Sequence, residues 1–299
     1  MFRQIFFISF FWVFLVCNAQ ENNSIVSYQK KIISKLTGKE VIDAGIYLHQ
    51  RATYKERFIT ANYLAKELRN LGWFSELQNY RKSQSNYFLD LFFRPNRGNN
   101  VVGKLLATVT TKEYIILGAH YDSERNSPGA VDNASGVALC LALAKELKQL
   151  EHRNYNVLIV FFDQEEDDEV GSTTYVESIQ KKILDVNSVH IFDLIGYDSD
   201  GDFALTLQSP TPFLEEIYRS EAEVRKIPIQ IINGAGSDNK PFMEAGYPTV
   251  HPFEELDDRT PYYHSSKDTY ETINFGFLAN TTQYIKSIIT KILENDEDV

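Results

Sequence analysis

Short, mainly apolar runs alternate with longer segments of helical spacing through the middle of the chain. Three of these runs, at residues 114–119, 156–162 and 188–193, are rich in β-branched and aromatic residues. Their length and composition predict strands buried on both faces of a sheet. Apolar positions three and four residues apart predict the helices, at residues 25–36, 55–71, 137–150, 173–183, 211–225 and 275–293.

Further strand patterns lie on either side of this alternating region. Apolar stretches at residues 74–77, 87–94 and 100–107 are separated by polar turns, which predicts that the sheet begins with antiparallel strands. The pattern at residues 247–253 predicts one more strand late in the chain. In the helix at residues 55–71, the predicted buried stripe consists of Phe58, Ala61, Leu64, Ala65 and Leu68. This order of elements predicts an α/β fold: a single three-layer α/β/α domain over residues 20–299 with a mixed, largely parallel central sheet.

Residues 1–19 have the pattern of a signal peptide rather than of a folded element. Arg3 is followed by an apolar run at residues 5–16, and Cys17, Asn18 and Ala19 then offer small residues for cleavage. The run is too short for a comfortable membrane span. We therefore expect a mature chain that starts at Gln20 and is exported, either to a periplasm or outside the cell. A lipid anchor on Cys17 is the alternative.

The composition narrows the class of partner. The 299 residues carry a formal net charge of −11, which argues against nucleic acid and against an anionic membrane surface as partners of the mature protein. After cleavage Cys140 would be the remaining cysteine, so no intramolecular disulfide is expected, and its apolar surroundings predict a buried side chain. The sequence carries no signal for the oligomeric state.

Acidic and histidine side chains follow each of the three buried strands. His120 and Asp122 follow the first, Glu165 and Glu166 follow Asp163 after the second, and Asp193 ends the third. In open α/β sheets the ligand crevice lies beyond the carboxyl ends of the strands, so these side chains should meet there. Carboxylates gathered at one edge would repel each other without a cation, which favours a metal site.

Structural interpretations of the same residues remain open at this point. Asp132, in the glycine-rich loop after the first strand, could cap the following helix. The acids at residues 163–169 could form a solvated loop, and His264 could be an ordinary surface histidine.

Five motifs in order resemble the co-catalytic zinc aminopeptidase family, over roughly residues 100–275. That family also includes glutamate carboxypeptidases and, more distantly, the glutaminyl cyclases and the transferrin receptor. The motifs are His120-Tyr-Asp122, Gly129-Ala-Val-Asp132-Asn-Ala-Ser-Gly136, Asp163-Gln-Glu165-Glu166, Phe192-Asp193-Leu-Ile-Gly196 and His264-Ser-Ser-Lys-Asp268-Thr269.

The resemblance implies two zinc ions and a role for each of seven residues. His120 and Asp193 would hold one ion, Glu166 and His264 the other, and Asp132 would bridge them. Glu165 would be the general base, and Asp122 would orient His120. These roles agree with the chemistry of paired zinc ions, which leave positions for water and substrate and can share an activated water.

One segment departs from the family pattern. Ser237-Asp238-Asn239 has asparagine where the family usually has histidine, which leaves the metal ligands untouched but puts substrate positioning by Asp238 in question. The polar loop before His264 contains Tyr262 and Tyr263, either of which could assist the substrate oxyanion.

Three functions follow from the resemblance. The first is a two-zinc exopeptidase that removes N-terminal residues from peptides. The second is a glutaminyl-peptide cyclotransferase-like enzyme with a single zinc. The third is a binding module that has lost catalysis, against which the retention of every implied ligand and of Glu165 argues.

Overall fold

The computed structural model describes residues 22–82, 96–234 and 236–295. The predicted signal peptide and the predicted strand at residues 87–94 lie outside these ranges. The described elements are α1 (residues 22–36), α2 (Tyr54–Asn70), β1 (Phe74–Lys82), β2 (Asn96–Leu105), β3 (Glu113–His120), α3 (Ser135–Leu147), β4 (Asn156–Phe162), α4 (Val170–Lys181), β5 (Asp185–Ile191), β6 (Leu205–Gln208), α5 (Pro212–Arg225), β7 (Ile229–Ile232), α6 (Asn239–Glu244), β8 (Thr249–Glu254) and α7 (Phe275–Glu294).

The described strands form one mixed sheet in the order β1-β2-β4-β3-β5-β8-β6-β7. The chain enters through an antiparallel edge, because β1 pairs antiparallel with β2 and β2 with β4. The centre is parallel, with β3 between β4 and β5 and with β8 beside β5. The carboxyl ends of β3, β4 and β5 therefore lie at the same edge of the sheet.

Helices cover both faces of the sheet, as the three-layer prediction required. Side chains of β4 alternate strictly between the faces: Val157, Ile159 and Phe161 join the larger core with α1, α2, α3, α5 and α7. Leu158, Val160 and Phe162 join a smaller core with α4 and with Phe242 of α6. A strand buried in this way on both faces needs the continuous apolar run that the sequence has there.

The structure adds three short elements and corrects one side chain. The six predicted helices are present, while β6, β7 and α6 were not predicted. Phe58 lies on the outer side of α2 with 43% of its surface exposed, where it stacks on Tyr54. Arg57 takes the buried position instead, because it pairs with the buried Asp163. Within the described residues, no helix combines the length and apolarity needed to cross a membrane.

Candidate metal centre

The candidate site lies where β3, β4 and β5 end. His120 is the last residue of β3 and is paired in register with Phe162, the last residue of β4. Residues 163–166 therefore leave the sheet beside His120. Asp193 is the second residue after the end of β5. The N–H of the preceding residue, Phe192, donates to the carbonyl of Gly118 in β3, which holds Asp193 beside that strand. The parallel register brings these side chains to the sheet edge that the sequence predicts.

Asp132 lies between two histidines, with one carboxylate oxygen facing each. Its Oδ1 is 3.2 Å from Nε2 of His120, and its Oδ2 is 3.3 Å from Nε2 of His264. Asp132 is 4% exposed and His120 is fully buried, whereas His264 is open to solvent. The carboxylate therefore spans the space between the two histidines.

Each histidine also faces a second acid. Nε2 of His120 is 3.3 Å from Oδ1 of Asp193, and Nε2 of His264 is 2.9 Å from Oε2 of Glu166. The structure thus brings together all five residues for which the sequence predicts a metal-binding role. They form two groups that share Asp132. His264 reaches this position from a loop far along the chain, in a left-handed conformation with φ of 53°.

Asp122 and Asp268 fix the backbone around these groups. Oδ1 of Asp122 is 3.4 Å from Nδ1 of His120, the ring nitrogen that does not face Asp132 and Asp193. The same carboxylate accepts the backbone N–H of Glu165 at 3.2 Å and of Glu166 at 3.3 Å. Asp268 accepts the N–H of Val131 at 2.8 Å and of Asp132 at 3.1 Å. The two buried acids therefore position ligand-bearing segments from three parts of the chain.

The loop of Asp132 does not have the geometry of a helix cap. Helix α3 begins at Ser135 after Ala134, without a side-chain cap, and the Asp132–Asn133 peptide bond is cis. The amide of Asn133 donates to the carbonyl of Phe192 at 2.8 Å and accepts the N–H of Gly136 at 2.9 Å. Asn133 therefore performs the local backbone bonding, which leaves the carboxylate of Asp132 free to face the histidines.

The buried acids and histidines perturb one another strongly. Burial raises the pKa of Asp132, but its hydrogen bonds to His120 and His264 outweigh burial and hold the pKa at about 2. Burial, reinforced by Asp132, raises the pKa of Glu166 to about 8. Burial lowers the pKa of His120, yet Asp193, Glu165 and the hydrogen bonds to Asp122 and Asp132 bring it well above its ordinary value. The hydrogen bond to Asp132 raises the pKa of His264 as well, and Glu166 adds to the rise.

The donor set fits zinc. Imidazole nitrogens and carboxylate oxygens are zinc ligands in proteins, and ligand atoms of His120, Asp132 and Glu166 lie within 4.8 Å of one another. His120 presents one nitrogen to this cluster while Asp122 faces the other, the arrangement typical of a metal-binding histidine.

Asp163 is set apart from this cluster. It is fully buried and pairs with Arg57, whose Nε lies 2.6 Å from its Oδ1, and it accepts the N–H of Asn99 at 2.9 Å. Burial nevertheless raises its pKa to about 7. Not every acid at the strand ends therefore belongs to the candidate site.

The structure separates the two tyrosines with a predicted oxyanion role. Tyr263 stacks on the ring of His264 with centroids 3.7 Å apart. Burial raises its pKa, and the acids Asp132, Asp193, Glu166 and Glu165 add to the rise. Tyr262 instead meets the edge of Tyr197 at 6.4 Å. Tyr263 is therefore the tyrosine beside the acid cluster.

Asp238, for which the sequence predicts a substrate-binding role, lies beside α6. Its side chain is fully buried, and its substrate-binding role stays a prediction. Burial raises its pKa to about 8, with His120 acting in the opposite direction. Asn239 is equally buried and donates to Sδ of Met243 at 3.5 Å. Both residues lie beneath the site and not at its surface.

Comparison with known proteins gives one family and one fold. A family model described as peptidase family M28 matches residues 100–289. Aminopeptidase YwaD of Bacillus subtilis is 29% identical over 214 residues, which are 69% of this chain and 47% of YwaD. The chain spans about half the length of the curated relatives it matches.

Two examples among the similar solved structures illustrate the shared fold. The zinc aminopeptidase BSAP of Bacillus subtilis has a TM-score of 0.78 at 16% identity, covering 91% of this chain and 96% of that one. The glutaminyl cyclase of Porphyromonas gingivalis has a TM-score of 0.71 at 15% identity, covering 90% of this chain and 98% of that one. At these identities the likeness establishes the architecture alone.

Proposed function

Since the chain belongs to peptidase family M28, we propose that it is a zinc-dependent aminopeptidase that removes N-terminal residues from peptides and uses two co-catalytic zinc ions. The observation that carries this proposal is the position of Asp132. One of its oxygens faces His120 and the other faces His264, and each histidine has a further acid of its own. In this proposal each of two metal positions would have three protein ligands.

The residues divide into ligands and groups that act on the substrate. Zinc ions at these positions would supply Lewis acidity, which polarises the scissile carbonyl and acidifies a water. Glu165, whose backbone N–H is held by Asp122, takes a proton from the attacking water and delivers it to the leaving amine. Tyr263, beside the acid cluster, donates a hydrogen bond to the developing oxyanion.

Asp122 has two tasks in this proposal. Its Oδ1 lies 3.4 Å from Nδ1 of His120, where it orients the ring so that Nε2 faces the metal position. The same carboxylate accepts the backbone N–H groups of residues 165 and 166, which fixes their position relative to His120.

The glutaminyl cyclotransferase alternative has the same fold but needs a different use of the site. With a single zinc ion, one of the two histidines beside Asp132 would bind no metal. We therefore rank the two-zinc peptidase first, and a glutaminyl peptide serves as the discriminating substrate.

A substrate panel tests the proposed activity. The purified protein is assayed with aminoacyl-arylamides, with an N-terminally blocked arylamide and with a peptide that begins with glutamine. We expect hydrolysis of the free aminoacyl substrates, little hydrolysis of the blocked one, loss of activity with a strong chelator, and recovery with zinc. Cyclisation of the glutaminyl peptide without arylamide hydrolysis would instead identify the cyclase.

We also propose export of a mature chain that starts at Gln20. Mass spectrometry of the protein recovered outside the cytoplasm measures its N-terminus directly. A mass that corresponds to a lipid on Cys17 would identify the anchored alternative.

A further inference from the structure

Arg51 is a fully buried residue directly behind the candidate metal centre. It precedes α2 in the chain and belongs to none of the motifs on which the sequence prediction rests. Its guanidinium donates to four backbone carbonyls: those of Tyr121 at 2.6 Å, Leu36 at 2.8 Å, Pro128 at 2.6 Å and Gly129 at 2.9 Å. Three of these carbonyls belong to the segment that joins His120 to Asp132.

This segment, residues 121–129, is built around the arginine. Gly129 has a left-handed φ of 62°, and a Cβ atom there would lie 2.7 Å from Nη2 of Arg51. Ser123 accepts the backbone N–H of Arg51 at 2.9 Å and donates to the carbonyl of Ser127, also at 2.9 Å. The loop is therefore closed on itself and fastened to residue 51 at both ends.

The fourth carbonyl links the loop to another layer. Leu36 is the last residue of α1, where the helix leaves carbonyls without intrahelical partners and carries partial negative charge. Arg51 thus joins the end of α1 to residues 121–129 through one planar group. A guanidinium can do this because it presents several donors in fixed directions.

The charge of Arg51 also faces the acids of the site. Burial lowers the pKa of its guanidinium, and Asp122, Asp268, Asp132 and Glu166 act in the opposite direction. The hydrogen bonds go to carbonyls, so the positive charge is left to interact with these carboxylates at longer range. It is a fixed cation within the protein that partly offsets their repulsion.

We propose that Arg51 is a positioning residue of the metal centre, which sets the path from His120 to Asp132 and offsets the converging carboxylates before metal binds. This inference rests on the proposed function. It assigns Arg51 no contact with metal or substrate, and its effect should appear first as metal affinity.

Arg153 supplies a matched control. It is also mostly buried, and its guanidinium also donates to backbone carbonyls, those of Leu106 and Leu150. Arg153 precedes β4, so it lies at the opposite end of the sheet from the site. The R51K and R153K variants therefore remove the same kind of planar donor, near the centre in one case and far from it in the other.

The test is a titration of the metal-free proteins with zinc by calorimetry, and with cobalt, whose visible absorption reports ligand geometry. Outer partners of metal ligands typically change affinity by about 10- to 100-fold. We expect R51K to bind zinc at least ~10-fold more weakly and to alter the cobalt spectrum. We expect R153K to retain wild-type affinity and spectrum, and both variants to melt at a lower temperature.

Equal zinc affinity in R51K and wild type would overturn the inference and leave Arg51 a purely structural residue. If R51K does not fold, S123A replaces it, because Ser123 ties the same loop to residue 51: weaker zinc binding supports the inference and unchanged binding overturns it. A wild-type protein that binds no zinc would overturn the proposed function itself, before any variant is compared.

Discussion

Glu165 and Glu166 are adjacent glutamates, and we expect the same substitution to change zinc content at Glu166 but not at Glu165. Oε2 of Glu166 lies 2.9 Å from Nε2 of His264, and its Oε1 accepts the backbone N–H of Glu124 at 2.9 Å. Glu165 is held by Asp122 through its backbone N–H, and in the proposed mechanism its carboxylate moves the proton. Glutamine at either position preserves size and removes the charge.

The magnitude follows from these roles. In E165Q the ligands are intact, so zinc content and KM should be unchanged, while turnover loses the contribution of an acid–base group, about 10²–10⁴-fold. That loss corresponds to about 3–6 kcal/mol in the barrier, at about 1.4 kcal/mol per factor of ten. In E166Q an amide replaces a ligand beside His264, so one zinc ion should be lost on dialysis together with most of the turnover.

The assay combines steady-state kinetics on an aminoacyl-arylamide with metal analysis of the same dialysed samples. Because the proton moves only in the transition state, the loss in E165Q should fall on kcat and not on KM. Chemical rescue is a further check, since added zinc should restore part of the activity of E166Q and none of that of E165Q. An active E165Q, or an E165Q that loses zinc while E166Q keeps it, would refute the assignment of the pair.

Three further outcomes are expected. Gly129→Ala should lower the melting temperature far more than Gly45→Ala, because both glycines have positive φ but only at Gly129 would a Cβ meet Arg51 and Ser123; equal melting temperatures would contradict this. Tyr263→Phe should lower kcat on the order of 10²-fold, as for other oxyanion donors, whereas Tyr262→Phe should leave kcat near wild type; the reverse order would exchange their roles. Burial lowers the pKa of His190 from 6.5 to about 3, so the folded ring stays neutral while the unfolded one takes a proton. The free energy of unfolding should therefore fall as the pH drops from 6.5 towards 3, by up to ~1.4 kcal/mol per pH unit. Urea unfolding of wild type and His190→Gln should show a shallower fall in the variant. Parallel curves would show that His190 does not contribute to the pH dependence.

The fold was predictable where burial dictates composition. A strand such as β4, with apolar partners on both faces, needs an almost continuous apolar sequence. Residues 156–162 have that sequence, and the predicted bounds match those of β4. The strands β6 and β7 have four residues each and lie at the far edge of the sheet, where such short segments carry no clear period. Phe58 fits a helical stripe by spacing, but the pairing of Arg57 with Asp163 decides which side of α2 is buried.

The candidate site was predictable as a set of residues but not as a supported structure. Motif order brought forward the five proposed ligands, because each has the side chain that a metal needs. The supporting role of Asp268, four residues after His264, could have been predicted in the same way, because a carboxylate in a ligand motif often holds a neighbouring backbone. Arg51 carried no such signal, because its role depends on carbonyls about 70 residues away. The burial of Asp238 was equally invisible to a pattern of residue types.

The number of zinc ions bound by wild type, His120→Ala and His264→Ala tests the central claim most directly. Each metal-free protein is titrated with zinc and its bound metal is counted by elemental analysis. We expect two ions per wild-type chain and one in each variant, because the two histidines lie on opposite sides of Asp132. One ion in the wild type, retained when His120 is replaced and lost when His264 is replaced, would contradict a shared two-metal site.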